Sequence, residues 1–369
     1  MNRLIFIPFL LLFSSTLTAV EDPVGAGLAP APWNTGIRIY HGFLINHHNT
    51  MKIFNEKPPF SFELFIAKAS YGEKSWHKFY SYPIYGVSYK MINLGSPSYL
   101  GNAFCIFPFM QFFITKPERT ANLNLRFGAG VAYVDKIFHP VDNYKNTAIS
   151  SPLNAILKFG IEGKMRIFDP VHLSVGSSFI HLSNGTYKKP NTGLNYVMAS
   201  AGVNYAFGNK NVLKPIDNVN TNFEKNTQYT VYLSGGMKTY NTYDEKKYIA
   251  SGLSLEVSRQ HLSHTRIVGM LDLFYDTSDY AYFMREEIEV TKTQMFKPGL
   301  AAGYAFIFES LSANVQIGRY FYAKQQRHGV IYQRLALRYA VSNQFNVHLG
   351  LKTHWGQADY IEIAIGYNL

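Results

Sequence analysis

Apolar residues recur at every second position, in run after run, over most of this chain. Between Ala121 and Val134, Leu123, Leu125, Phe127, Ala129, Val131 and Tyr133 share one parity, and Asn122, Asn124, Arg126, Gly128 and Gly130 the other. Gln344–Trp355 sets Phe345, Val347, Leu349 and Leu351 against Asn346, His348, Gly350 and Lys352. The last run alternates Ile361, Ile363, Ile365, Tyr367 and Leu369 with Glu362, Ala364, Gly366 and Asn368. A period of two places alternate side chains on opposite faces of a strand, so each run predicts a strand with one greasy and one polar face. Roughly sixteen such runs can be counted, each near the ten or so residues a tilted membrane strand needs. No convincing amphipathic helix interrupts them, and no internal stretch reaches the 18 or so apolar residues of a helical span.

Two architectures would use such strands. A soluble sandwich would share the greasy faces as a core and carry more charge in its loops. A transmembrane barrel would turn them to lipid. Charged residues make up 16% of the chain, below the ~25% usual for soluble domains. Aromatics make up another 16%, with 27 Tyr and 28 Phe, which fits aromatic girdles at two membrane interfaces. The N-terminus adds Arg3, an apolar stretch from Leu4 to Phe13, and small residues at Ser14, Ser15, Thr16 and Ala19, the pattern of a secretory signal. The expected fold is therefore all-β: a transmembrane antiparallel β-barrel of the outer-membrane type, with roughly 12–16 strands.

The expected organisation is a signal peptide at 1–19, a flexible leader at 20–34, a barrel half at 35–207, a polar linker or long periplasmic loop at 208–228, and a second set of strands at 229–369. A single large barrel is the preferred arrangement, with two separate halves as the alternative. The polar loops Asp135–Ser151, 184–194 and Asp276–Gln294 all follow odd-numbered runs, so periplasmic termini would place all three outside. The formal charge of +11 would suit anionic head groups as well as nucleic acid. No basic run is interleaved for base stacking, however, and an exported chain rarely meets nucleic acid. Cys105 is the only cysteine, so no internal disulfide forms, and it is given no role.

The candidate chemistry lies in Phe179-Ile-His-Leu-Ser-Asn-Gly-Thr-Tyr-Lys-Lys-Pro-Asn-Thr-Gly-Leu-Asn195. His181 and Ser183 share parity with Val171, Leu173, Val175 and Phe179, the greasy set of their run. A base and a nucleophile on a lipid-facing surface make sense if the substrate is itself a lipid. Same-face strand neighbours lie about 6–7 Å apart at Cα, within reach of a His–Ser hydrogen bond. A third group should hold the imidazole. In the next run Asn195 has the parity of Val197, Ala199, Ala201 and Val203, so strand geometry alone yields a Ser-His-Asn set. Backbone N–H groups of Asn184-Gly185-Thr186, with Asn191, are candidates for the oxyanion. Lys188 and Lys189 are candidates for lipid phosphates, with solvated loop lysines an equal alternative. On spacing alone, a polar rim at the end of a barrel strand remains the commoner reading of His181 and Ser183.

His-x-Ser-Asn-Gly followed by Pro-Asn-x-Gly, with a residue fourteen after the His, resembles the lipid A 3-O-deacylases, the PagL-like acyloxyacyl hydrolases. The resemblance implies an outer-membrane barrel whose outer wall removes the acyl chain at the 3-position of lipid A, with lipopolysaccharide as partner. It implies His181 as base, Ser183 as nucleophile, and Asn184 and Asn191 as supporting or oxyanion groups. Asn146–Asn154 and Lys352–Glu362 are similar to longer members of the family, and weaker similarity spans 35–369. The simplest members are about half this long and carry Glu where this chain has Asn195. That Asn is instead similar to outer-membrane phospholipase A, another barrel with His-x-Ser-Asn-Gly, which uses calcium and dimerises.

Three functions follow as expectations. The first is an outer-membrane lipid A deacylase needing neither metal nor cofactor, with His181, Ser183 and Asn195 catalytic. The second is a calcium-dependent phospholipase, for which a homodimer would be the expected assembly. The third is a pore or structural barrel. Arg259-Gln-His261-Leu-Ser263-His264 echoes the motif without its Asn-Gly and Pro-Asn parts, and Asp272, Asp276 and Asp279 lack the spacing of a calcium loop.

Overall fold

The computed structural model describes residues 32–117, 119–209, 225–242 and 246–369. The signal peptide, nearly all of the leader and most of the polar 208–228 segment lie outside these residues. The rest is sixteen strands with a few short helical turns. Strands β1–β8 run Trp33–Leu44, Phe60–Ala69, Ile84–Asn93, Asn102–Phe113, Ala121–Val134, Leu153–Phe168, Val171–Ser183 and Leu194–Phe207. Strands β9–β16 run Thr227–Thr239, Lys247–Leu262, Thr265–Asp276, Phe296–Phe308, Leu311–Tyr320, Ile331–Ala340, Phe345–His354 and Gln357–Asn368. Every sequential pair within each set is antiparallel, β1 closes on β8, and β9 closes on β16.

The preferred single barrel is thus overturned: there are two closed barrels of eight strands each. The reason is the pairing of β8. It lies against β1 along its whole length, from Leu44 opposite Tyr196 to Trp33 opposite Phe207, and has no free edge left for β9. Closure matters because hydrocarbon offers no hydrogen bonds to an unpaired strand edge.

In the first barrel the greasy parity points outward, where Ile37, Ile39, Leu64, Ile66, Val87 and Val175 are exposed. The polar parity fills the interior. Glu63 accepts from Lys158 Nζ at 2.7 Å, Arg126 Nη2 at 2.7 Å, Ser88 Oγ at 2.9 Å and Tyr40 Oη at 2.8 Å. Arg38 grips Glu162 through two bonds of 2.6 and 2.8 Å. Eight strands leave an interior just wide enough for side chains to fill. The second barrel is built the same way, with Leu233, Leu253, Leu271, Leu349 and Ile363 outside and Asp272, Arg334 and Glu362 buried within.

The connections after β5, β7 and β11 are long, as expected, and so are 45–59 and 70–83, the latter at the opposite end of the first barrel; β10–β11 and β12–β13 are joined by two-residue turns. The motif therefore sits at the long-loop end of the first barrel, where β7 hands over to β8.

Candidate active site

Strand β7 carries His181 and Ser183 outward, as the parity requires, at its last turn of pleat. The pairing of β7 with β8 sets His181 directly opposite Asn195. His181 Nδ1 lies 2.6 Å from Asn195 Oδ1, and its Nε2 lies 3.0 Å from Ser183 Oγ. Because an amide oxygen only accepts, Nδ1 must carry the imidazole proton, leaving Nε2 bare to accept from the serine hydroxyl. That is the tautomer a general base needs. Ser183 is buried and His181 half-buried, although both have the outward parity of β7.

The loops at this end of β7 are held by backbone groups. Asn146 is fully buried in the β5–β6 connection, where its Nδ2 donates to the carbonyls of Tyr99 and Lys136 at 3.0 and 3.2 Å. Its Oδ1 accepts from the N–H groups of Ala148 and Ile149, both at 3.2 Å. The carbonyls so positioned then receive the motif loop, with Thr192 N–H donating to Thr147 at 3.2 Å and Gly193 N–H to Ala148 at 3.1 Å. Asn184 Nδ2 donates to Ser150 Oγ at 3.2 Å. Asn191 Oδ1 accepts from the backbone N–H of Asn184 at 3.3 Å, so Asn191 meets the turn beside Ser183 as an acceptor. Asn154 points into the barrel wall, where its Nδ2 donates to Ser151 and Pro152 carbonyls at 2.7 and 3.3 Å.

By their contacts Gly185–Lys189 belong to the compact unit that contains the second barrel. There Lys189 Nζ donates to the Tyr240 carbonyl at 3.0 Å, and burial together with Arg327 and Lys238 pushes its amine down to about 8. Lys188 is half-buried. Of the weaker sequence candidates, Ser263 and His264 form the two-residue β10–β11 turn, with the His264 ring 3.1 Å from its neighbour's hydroxyl. Asp272, Asp276 and Asp279 pair separately with Arg334, Lys238 and Lys297. Among the described residues, no group of three or more His, Cys, Asp and Glu is placed to hold a metal ion.

Two family models match the chain: lipid A 3-O-deacylase (PagL) over residues 62–204, and the acyloxyacyl hydrolase C-terminal domain over 227–369. The chain belongs to the lipid A 3-O-deacylase family. Among solved structures, the outer membrane enzyme PagL is similar at 16% identity over 45% of this chain and 97% of its own, with a TM-score of 0.30. A mutant Rh. blastica porin aligns at 7% identity over 91% of this chain and 99% of its own, with a TM-score of 0.17. The ferric enterobactin receptor PfeA aligns at 9% over 88% of this chain and 54% of its own, at 0.23. No curated protein matches the chain.

The Pro-Asn-x-Gly element that this deacylase-family chain carries has a physical cause. Gly193 is left-handed, with φ of +73°, and a Cβ there would lie 3.0 Å from His181 Cε1 and 3.2 Å from the Leu182 carbonyl oxygen. Any side chain would be strained and would push the imidazole off Ser183. Gly193→Ala is expected to lower kcat by about 10- to 100-fold, since small misplacements of a catalytic group cost that much. Kinetics of the purified, folded variant would check it, and parental kcat would contradict it.

One residue at the site escaped sequence reasoning. His47, in the β1–β2 connection, places its Nδ1 3.3 Å from Asn195 Nδ2 and its Nε2 3.0 Å from the Thr192 carbonyl. The pair His47-His48 is visible in the sequence, but nothing in its spacing ties it to Asn195, 148 positions away.

Proposed function

We propose that this protein is an outer-membrane serine esterase that removes the ester-linked acyl chain at the 3-position of lipid A. The observation that carries the reading is the hydrogen-bonded row Ser183–His181–Asn195 on the outward, apolar wall of a barrel. A substrate anchored by its acyl chains in the outer leaflet would reach that wall laterally, with its sugar near the long-loop end.

Ser183 Oγ attacks the acyl carbonyl carbon while His181 Nε2 takes the hydroxyl proton. The tetrahedral oxyanion is met by N–H donors of the turn that follows Ser183. Collapse breaks the ester bond, and His181 returns its proton to the departing sugar oxygen. Water, deprotonated by His181, then adds to the acyl carbonyl; the acyl–Oγ bond breaks, His181 gives its proton to Ser183 Oγ, and the hydroxy fatty acid leaves. Asn195 keeps the proton of His181 on Nδ1 throughout, but as a neutral amide it does not offset the imidazolium charge as a carboxylate would.

Asn195 also favours a second reading, a phospholipase A, since a Ser-His-Asn row is what such barrels resemble. A filled eight-stranded interior gives little support to a pore. The deciding test is to fold the mature protein into detergent, incubate it with lipid A, and read products by mass spectrometry with and without EDTA. Loss of one hydroxyacyl chain, unaffected by EDTA, is the expected result. Intact lipid A together with EDTA-sensitive phospholipid turnover would select the phospholipase, and no cleavage of either lipid would overturn both.

A further inference from the structure

An amide is a poor orienter for a catalytic histidine unless something fixes which of its ends faces the ring. If Asn195 turned over, its NH2 would face His181 Nδ1, which would then have to accept. The imidazole proton would move to Nε2, and Nε2–H would point at Ser183 Oγ with no capacity to take the hydroxyl proton. The two amide orientations are nearly equal in shape and differ only in hydrogen bonding. A carboxylate, with oxygens at both ends, has no such problem.

His47 supplies the missing information. Its Nε2 lies 3.0 Å from the carbonyl oxygen of Thr192, and its Nδ1 lies 3.2 Å from the carbonyl oxygen of Ile45 and 3.3 Å from Asn195 Nδ2. A neutral ring has one proton for these two carbonyls; held on Nε2, at the shorter contact, it leaves Nδ1 to accept from the Asn195 amide. The amide end that faces His47 is then the donor, and the end that faces His181 the oxygen. Each bond in the row fixes the direction of the next. Ser183 Oγ–H donates to His181 Nε2, His181 Nδ1–H to Asn195 Oδ1, Asn195 Nδ2–H to His47 Nδ1, and His47 Nε2–H to Thr192 O. The far end is anchored, because Thr192 is bonded through its own N–H and hydroxyl to the Thr147 carbonyl at 3.2 and 3.3 Å. The near end of β1 is anchored as well: Ile45 N–H donates to the Asn195 carbonyl at 2.8 Å, which holds the His47 loop against β8.

We infer that His47 is a positioning residue for the esterase: by accepting from the Asn195 amide it holds that amide oxygen toward His181 and so keeps His181 in the tautomer that can accept from Ser183. His47 is placed to act through Asn195 and not on Ser183 itself. The inference rests on the esterase reading above, and it also explains how an Asn works where a carboxylate would need no help.

The test is a set of purified, folded variants assayed on lipid A. His47→Leu removes the acceptor. His47→Gln restores one acceptor and one donor at similar reach. Asn195→Glu makes the orienter symmetric. His47→Leu is expected to lower kcat about 10- to 100-fold with KM unchanged, a part of the ~10⁴-fold loss that a wholly wrong histidine tautomer brings, because the Asn195 amide still visits the productive orientation. His47→Gln should recover most of it. In the Asn195→Glu background, His47→Leu should change kcat less than about twofold, because a carboxylate accepts from His181 unaided. Equal losses in both backgrounds, a Gln variant as poor as Leu, or a His47→Leu enzyme as fast as the parent would each overturn the inference. If Asn195→Glu proves inactive by itself, the Gln–Leu comparison decides alone. Retained activity in Ser183→Ala would instead overturn the esterase reading, so the two failures are distinguishable.

Discussion

Ser183→Ala is expected to reduce lipid A deacylation by on the order of 10⁴-fold or more, with the barrel folded as in the parent. His181→Ala should match it, and the double variant should lose no more than either alone, because nucleophile and base act as one unit. The physical ground is the 3.0 Å contact between His181 Nε2 and Ser183 Oγ. At neutral pH a serine hydroxyl is a weak nucleophile without a base in hydrogen-bond reach. Both side chains project from the barrel's outer wall, and no ladder bond passes through either, so truncation should spare assembly. Heat-modified mobility on a gel would report folding, and mass spectrometry of lipid A would report activity. Asn195→Ala should cost less, since orientation is only part of what the row achieves. Substantial turnover by purified Ser183→Ala would remove that residue from the chemistry.

The strands were legible because a barrel in lipid enforces a strict period of two, with nothing but side-chain parity deciding inside from outside. Ile37, Val87 and Val175 face out and Glu63, Arg126 and Lys158 face in, as alternation alone requires. The same parity alone puts His181, Ser183 and Asn195 on one face. Closure was not legible. Whether β8 pairs with β1 or with β9 depends on edge matching between segments far apart in sequence, and the 208–228 segment carries no pattern that decides it. One barrel of sixteen strands and two of eight share the same alternation.

The supporting shell of the site divides in the same way. Gly193 stands in a motif, and its reason, a left-handed turn against the His181 ring, is a backbone property that the sequence marks but does not explain. The carbonyls of Thr147, Ala148 and Thr192 have no signature at all, since any residue could present them. His47 is a long-range partner whose role arises only after two loops from different strand pairs meet over β8. Candidates for the chemistry could be nominated from type and spacing, whereas the groups packed around them required the fold.

Glu63→Gln is expected to be the most destabilising single change in the first barrel, by about 3–5 kcal/mol, the usual cost of breaking a buried ion pair from one side. Glu63 is fully buried, and its carboxylate meets Lys158 and Arg126 at 2.7 Å, with Lys90 at 3.7 Å. Removing its charge leaves three buried cations without their shared counter-ion, in an interior that side chains fill. The hydroxyls of Tyr40 and Ser88, which donate to the carboxylate at 2.8 and 2.9 Å, would also lose part of their bond strength. Urea titration of the folded protein in detergent, followed by tryptophan fluorescence, should show an earlier midpoint. Adding Lys158→Met to Glu63→Gln should recover part of the loss, because it lowers the uncompensated charge while keeping the volume. The ionic core lies on the opposite face of the wall from Ser183, so deacylation per folded molecule should stay within about twofold of the parent, as for distant, independent sites. An unchanged midpoint would mean that solvent in the interior screens these charges far more than their burial implies. A lost midpoint without recovery in the double variant would place the cost in the hydrogen bonds to Tyr40 and Ser88 rather than in the cations.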